Sequence, residues 1–210
     1  MVRVDEDFGR NVFINCPFDE RYLPLLQALL FTIVHLGFTP RIALERTDSG
    51  ELRLNKISDL IRRSRFSIHD LSRARSAEPG EFYRMNMSFE LGVDYGCRLF
   101  GQRELKRKRC LVLCGRAFEH ARALSDVSGV DAKHHNDEPL ELIRQVRNWF
   151  VETAEAGEVP SASTIWRGFI DFMVDFRGKR AADGFSPEDL NTMPIREFVG
   201  FIARWAADRG

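Results

Sequence analysis

Several features are scarce or missing in this 210-residue chain, and each absence removes a class of protein. The 31 basic residues balance 31 acidic ones, so no general field draws the chain to nucleic acid or to an anionic membrane. No apolar run approaches the ~20 residues of a membrane span. The amino terminus is charged before its first apolar run, unlike a signal peptide. Four cysteines are too few and too scattered for a disulfide framework. We expect a cytoplasmic protein with reduced thiols, no membrane partner and no general nucleic-acid binding.

The cysteines and histidines do not predict a metal site. Cys110 and Cys114 lie four apart on a predicted strand, but no second ligand pair has matching spacing. His134 and His135 lie near two acidic residues, yet adjacent histidines in a short loop rarely both bind one ion. We expect no metal, and a metal-dependent hydrolase built on these two histidines is the least favoured alternative. His69 is expected to be a core histidine with satisfied hydrogen bonds.

Apolar patterning predicts alternating strands and helices over residues 1–154. Pro40 places the second strand at a sheet edge, and Gly37 ends the first helix. The alternation predicts a flavodoxin-like (Rossmann-like) three-layer α/β sandwich with a five-stranded, mainly parallel sheet in the order 2-1-3-4-5. Strands are predicted near 11–18, 38–45, 65–72 and 109–114, with a short fifth in 125–138. Helices are predicted near 21–37, 54–61, 83–100, 118–124 and 140–153.

The remainder of the chain, residues 155–210, predicts a linker and then a helical extension. Ser186 and Pro187 have the pattern of a helix start. The aromatic faces of these helices predict packing against each other or against the sheet, or alternatively a surface for a homo-oligomer or a partner protein. The residues that form these faces are Phe169, Phe172, Met173, Phe176, Phe198, Ile202 and Trp205.

Polar residues follow the first and third predicted strands, where ligands bind in open α/β sheets. In the order 2-1-3-4-5 the strand order reverses between these two strands, and ligands bind at the carboxyl ends beside that point. We expect substrate contacts from Asn15, Pro17, Phe18 and Asp19 after the first strand and from Asp70 and Ser72 after the third. Asp70 alternatively closes an Asx-turn, and Asn15 and Asp19 alternatively satisfy backbone groups.

The predicted helix over 83–100 carries an acidic residue, Glu90, in its opening turns. One helical turn places Asn86 and Asp94 on the same face as Glu90. A helix amino terminus favours the ionised carboxylate, which suits a nucleophile or an electrostatic stabiliser. The alternative is a solvated helix residue. The predicted core face of this helix consists of Met85, Phe89 and Val93.

Three segments of the chain resemble one enzyme superfamily. VFINCPFDERYLPLLQAL, KISDLIRRSRFSIHDLSR and NMSFELG resemble the nucleoside 2-deoxyribosyltransferase-like superfamily, with its Pro-Phe strand end, I-x-DL-[ST] strand and ELG helix. The same order of elements is similar to Toll/interleukin-1 receptor (TIR) domains. The resemblance covers about residues 10–150. The tryptophan and cysteine that precede the TIR glutamate are replaced here by Met87, Ser88 and Phe89.

The resemblance implies chemistry at an N-glycosidic bond of NAD or of a nucleoside or nucleotide. Glu90 becomes the nucleophile or oxocarbenium stabiliser, since positive charge develops at the anomeric carbon. Asp70 becomes an acid or a sugar-orienting group. NAD enters as a substrate, so no cofactor is expected. The resemblance also implies a role in prokaryotic antiphage defence.

Two further features bear on the ligand. The loop TDSGEL (47–52) is expected to close over the ligand, with Ser49 and Gly50 as contacts. Arg41 or Arg46 is expected to bind a phosphate group of the ligand. The basic run RELKRKR (103–109) is expected to be a solvated turn. Hydrolysis, transfer and cyclisation all remain open, as does a non-catalytic TIR-like module that senses nucleotides or assembles with partners.

Overall fold

A computed structural model describes residues 7–73, 85–117, 129–154 and 158–209. Five strands form one sheet in which every neighbouring pair is parallel, in the order β2-β1-β3-β4-β5. This α/β, flavodoxin-like arrangement and the edge position of Pro40 confirm the predictions. The strands are β1 (Asn11–Asn15), β2 (Thr39–Ile42), β3 (Phe66–Asp70), β4 (Arg109–Cys114) and β5 (Lys133–His134).

The helices of the described residues agree in place with the predicted ones. The helix predicted over 118–124 lies outside the described residues. None of the described helices is both long and apolar enough to cross a membrane. The helices are α1 (Leu23–His35), α2 (Arg53–Arg62), α3 (Asn86–Phe100), α4 (Pro139–Thr153), α5 (Ala162–Ala182), α6 (Pro187–Asn191) and α7 (Ile195–Ala207).

The chain divides into two compact units. The first comprises residues 1–17 and 39–137 and contains the sheet, α2 and α3. The second comprises residues 18–38 and 138–210 and contains α1 and α4 to α7. The expected single boundary at residue 154 differs from this division, in which α1 and α4 group with the carboxyl-terminal helices.

In the first unit, one face of the sheet is covered by α2 and α3. Phe13 of β1 packs with Ile57, Leu60 and Ile61 of α2, and Val112 of β4 belongs to the cluster that α3 covers. Successive strand residues point to opposite faces, so this covered face also bears Asn15, Ser67, His69 and Cys110. A polar layer therefore lies under α3 in the middle of an otherwise apolar core.

In the second unit, aromatic side chains dominate the packing. Phe31 of α1 contacts Phe172 of α5 and Trp205 of α7, with ring centroids 5.6 and 5.8 Å apart. The predicted packing of the aromatic faces on other helices is thus confirmed within this unit. Gly37, at φ +80°, ends α1 as predicted, because a left-handed residue there lets the Phe38 amide bond the Ile33 carbonyl.

Two helix starts of the second unit are capped by serine. The Ser161 hydroxyl accepts a hydrogen bond from the Thr164 amide at the start of α5. Ser186 caps α6 with Pro187 in its first turn, as predicted. These bonds satisfy amides that no helix carbonyl reaches.

Candidate functional site

The inward face of α3 is half acidic. Met87, Glu90, Leu91 and Asp94 are buried at i, i+3, i+4 and i+7 spacing. The predicted core face is wrong, since Met85 and Phe89 are 70% and 57% exposed and Val93 is only partly buried. Compared with the prediction, α3 is rotated about its axis because the sheet beneath it presents polar side chains. Asp94 gives these side chains a hydrogen-bond partner, whereas a phenylalanine in its place would leave them without one.

Glu90 lies almost wholly out of solvent, at 6% exposure. The solvated alternative is therefore wrong for this residue. Burial raises the pKa of the Glu90 carboxyl, against the smaller opposing effects of Arg53 and His69. The Arg53 guanidinium lies 3.6 Å from Glu90 Oε1, an ion pair too long for a good hydrogen bond. The Arg53 side chain is 57% exposed, whereas the Glu90 side chain is 8% exposed.

Asn15, the last residue of β1, holds the start of α3 against the sheet. Its Nδ2 donates to the Met87 carbonyl at 2.8 Å and lies 3.0 Å from His69 Nδ1. An amide NH₂ can only donate, so His69 Nδ1 accepts and the ring hydrogen is on Nε2. Asn15 is thus a positioning residue for the turn that precedes Glu90, and its two amide hydrogens are already engaged.

A buried ion pair continues this network under α3. His69 Nε2 donates to Asp94 Oδ2 at 3.0 Å, and the Ser67 hydroxyl donates to the same oxygen. Lys108 Nζ lies 3.0 Å from Asp94 Oδ1 and also donates to the Ile61 carbonyl. Burial raises the Asp94 pKa, but the His69 hydrogen bond and the Lys108 charge outweigh it, and the net pKa is well below the ordinary value.

Lys108 corrects the expectation for the basic run over 103–109. It is 2% exposed, whereas the prediction described that run as a solvated turn. A buried ammonium requires a carboxylate partner and acceptors for its hydrogens, and Asp94 with the Ile61 and Ser64 carbonyls supplies them. The spacing of charges in the sequence gave no sign of which basic residue is buried.

The same network includes a three-ligand geometry that does not suit a metal ion. His69, Asp94 and Cys110 have ligand atoms within 4.8 Å of one another. However, His69 Nε2 carries the hydrogen that it donates, and Asp94 is neutralised by Lys108. Burial and the Asp94 charge raise the pKa of the Cys110 thiol to about 12. A metal would have to displace the hydrogen, the ammonium and the thiol proton together, so the cluster is a polar core.

Asp70, at the end of β3, forms a second buried cluster. Its Oδ1 accepts from the Ser72 amide at 2.8 Å, which is the Asx-turn alternative. Its Oδ2 and the Ser72 hydroxyl both lie 3.0 Å from His135 Nε2. His135 Nδ1 accepts from the Asp137 amide, so Nε2 carries the ring hydrogen and donates. A serine beside a protonated Nε2 is not activated as a nucleophile, and the cluster links the ends of β3 and β5.

The remaining predicted ligand residues are dispersed. Asn86 is exposed at the start of α3, and Pro17 is buried after β1. Ser49 and Gly50 are exposed in a turn in which Asp48 accepts from the Gly50 amide at 2.9 Å. Phe18 and Asp19 belong to the second unit.

The arginines and strand-end residues named for the ligand have other contacts. Arg41 pairs with Glu45 at 2.7 Å, and Arg46 pairs with Asp59 at 2.8 Å. The Asp19 carboxylate accepts from the Tyr22 amide at 3.1 Å, as the backbone alternative expected. The structure therefore groups Asn15 with Glu90 and Asp70 with Ser72, and leaves the loop over 47–52 a prediction.

No protein-family model matches the chain, and no significant match is found among curated proteins or solved structures. The function is therefore inferred from the arrangement of these side chains.

Proposed function

We propose that the chain cleaves or transfers an N-glycosidic bond of NAD or of a nucleoside or nucleotide, with Glu90 acting at the anomeric carbon. The observation that carries the proposal is the burial of Glu90 one turn after a contact with the end of β1. That end lies beside the point where strand order reverses, the usual ligand position in such sheets. A poorly hydrated carboxylate interacts strongly with developing positive charge.

The reaction requires one carboxylate and one nucleophile. The C1′–N bond breaks and its electron pair leaves with the base. The Glu90 carboxylate stabilises the resulting cation or bonds to it, and water or an acceptor base then forms the new bond at C1′ and gives up its proton to the departed base or to solvent. Arg53 moves from Glu90 to a substrate phosphate, which its guanidinium suits. Asp70 contributes less to the proposal, because Ser72 and His135 already occupy both its oxygens.

The test is chromatographic, at high protein concentration. The wild type is incubated with NAD and with a panel of nucleosides and nucleotides, beside Glu90→Gln and a control, Glu152→Gln, which alters an exposed glutamate of α4. We expect free nicotinamide or free base from the wild type and the control, and at least ~100-fold less from Glu90→Gln. Undiminished release by a folded Glu90→Gln protein would remove Glu90 from the mechanism.

Two exposed apolar faces favour a second candidate function, a non-catalytic module that senses nucleotides or assembles into a homo-oligomer or with a partner protein. On α3, Met85, Phe89 and Leu99 are 70%, 57% and 57% exposed. On α5, Ile170 and Val174 are 41% and 67% exposed. Solvent-facing apolar stripes of this kind are typical of interaction surfaces. The four cysteines carry free thiols, which is typical of cytoplasmic proteins. A cytoplasmic setting is therefore part of the proposal, in a defence role or in another.

Light scattering distinguishes this candidate. Assembly through α3 predicts an oligomer that Phe89→Glu dissociates, and assembly through α5 predicts one that Val174→Glu dissociates. A nucleotide that raises the melting temperature without base release would favour the module over the enzyme. A monomer that both substitutions leave unchanged, together with base release, would favour the enzyme.

A further inference from the structure

A cavity of about 180 Å³ lies between α5 and α7 in the second unit. Four aromatic rings and three basic side chains contribute to its walls. The aromatic lining residues are Phe172, Phe176, Phe201 and Trp205. The charged lining residues are Asp175, Lys179, Arg180, Arg204 and Asp208.

The whole cavity, with its charged lining included, has the size of a single ring. An apolar cavity of ~150 Å³ is large enough to bind benzene, so a volume of about 180 Å³ admits a six-membered ring with a small substituent. Phe172 contacts Trp205 and Phe176 contacts Phe201 at centroid distances of 5.7 and 5.4 Å. These ring contacts fix the positions of the aromatic lining residues across the two helices.

The charges of the lining leave a positive excess. The Asp175 carboxylate accepts from Trp205 Nε1 and from Arg209, each at 2.9 Å. Arg180 is paired with Asp183 at 2.7 Å, outside the cavity. Among the described residues, the lining side chains Lys179, Arg204 and Asp208 form no ion pair. Two cations against one anion leave one positive charge.

Two of the basic side chains lie over the ring of Phe201, which lines the cavity. The guanidinium carbons of Arg180 and Arg204 lie 4.4 and 4.6 Å from the Phe201 ring centroid. These cation–π contacts hold the two arginines beside the cavity.

We propose that this cavity binds a small aromatic monoanion, with the ring against the half-buried Phe201 and Trp205 and the anionic group facing Lys179 and Arg204. A carboxylate and a phosphate ester share the chemistry that would recognise these cations. The site lies in the second unit and is independent of Glu90.

Ligand-observed NMR titration tests the proposal with three probes of similar shape. Benzoate and phenyl phosphate carry the charge, and benzamide is the neutral counterpart. We expect the anions to bind with dissociation constants on the order of 1 mM and benzamide to bind at least ~10-fold more weakly. If benzoate binds more tightly than phenyl phosphate, the site is assigned to carboxylates. If phenyl phosphate binds more tightly, the site is assigned to phosphate esters.

Substitutions locate the binding. Lys179 and Arg204 are exposed side chains, so Lys179→Gln with Arg204→Gln is expected to fold normally and to weaken anion binding at least ~10-fold, with little effect on benzamide. Arg177→Gln is the matched control, because Arg177 is an exposed arginine of α5 that does not line the cavity. Equal binding of benzamide, no saturation by ~20 mM, or equal weakening by Arg177→Gln would each overturn the proposal.

Discussion

Replacing Asp94 by asparagine removes the one carboxylate that neutralises Lys108 while keeping the size and shape of the side chain. The two groups are 3% and 2% exposed, and Lys108 Nζ lies 3.0 Å from Asp94 Oδ1. In the variant, an amide NH₂ or a neutral oxygen would face a buried ammonium. Water cannot replace the lost charge without opening the core under α3.

The magnitude follows from the distance and the burial. Two unit charges 3.0 Å apart attract by ~5.5 kcal/mol at an effective dielectric constant of ~20. Removing one partner of a buried pair typically costs ~3–5 kcal/mol, much of it the penalty of the unpaired charge. Lys108 keeps the Ile61 and Ser64 carbonyls as acceptors. We therefore expect a loss of ~3 kcal/mol, or a fall in melting temperature of ~6–12 °C.

Urea unfolding followed by circular dichroism measures this loss. The wild type, Asp94→Asn and the double variant Asp94→Asn with Lys108→Met are compared, with unchanged m-values as the check on two-state behaviour. The double variant removes the stranded charge and should regain at least half of the lost stability. A loss below ~1 kcal/mol, or no recovery in the double variant, would refute a buried and unhydrated pair.

The same pair fixes a pH dependence. The Asp94 pKa is lowered in the folded state, so its stabilisation is present above the ordinary aspartate pKa of 3.8 and is lost as pH falls toward the folded-state pKa. The difference in unfolding free energy between wild type and Asp94→Asn should be constant between about pH 5 and 8. It should shrink on acidification.

Three smaller predictions concern other contacts. Because the pKa of Glu90 is raised in the folded state, the stability of the wild type falls as pH rises through that pKa. Glu90→Gln should therefore gain stability relative to the wild type between pH 4 and pH 7, and urea titrations at these two pH values check the sign. His135→Ala removes the Nε2 donor to Asp70 and should cost ~1–3 kcal/mol by thermal unfolding, whereas no loss would show that the cluster is hydrated. Ser161→Ala should cost ~1 kcal/mol as a lost helix cap, while Ser163→Ala, exposed inside the same helix, should cost little.

The fold was predictable because its signals are local. The alternation of short apolar runs with helical periods predicted the strands, and the edge position followed from Pro40. The rotation of α3 was not predictable, because apolar periodicity assigns the buried face of a helix from the residues of that helix alone. Phe89 is exposed and Asp94 buried for a reason that lies elsewhere in the chain, in Ser67 and His69 of β3.

The candidate site shows the same limit. Glu90 and Asp70 were identified by position after strands and by a resemblance, and the structure gives their burial. Lys108 and His135 could not be identified, since a basic run and a pair of loop histidines ordinarily face solvent. Their burial depends on partners 14 and 65 residues away, at Asp94 and Asp70.

Lys108 has a consequence for how the first unit opens. Lys108 directly precedes β4, and its ammonium contacts the Ile61 and Ser64 carbonyls at the end of α2 and Asp94 in the middle of α3. Separating any of these elements strands a charge, so the last turn of α2 should not fray by itself. From deuterium exchange, its amides and those around Asp94 should give one common opening free energy, as a single foldon, although Arg62 and Asp94 are 32 positions apart.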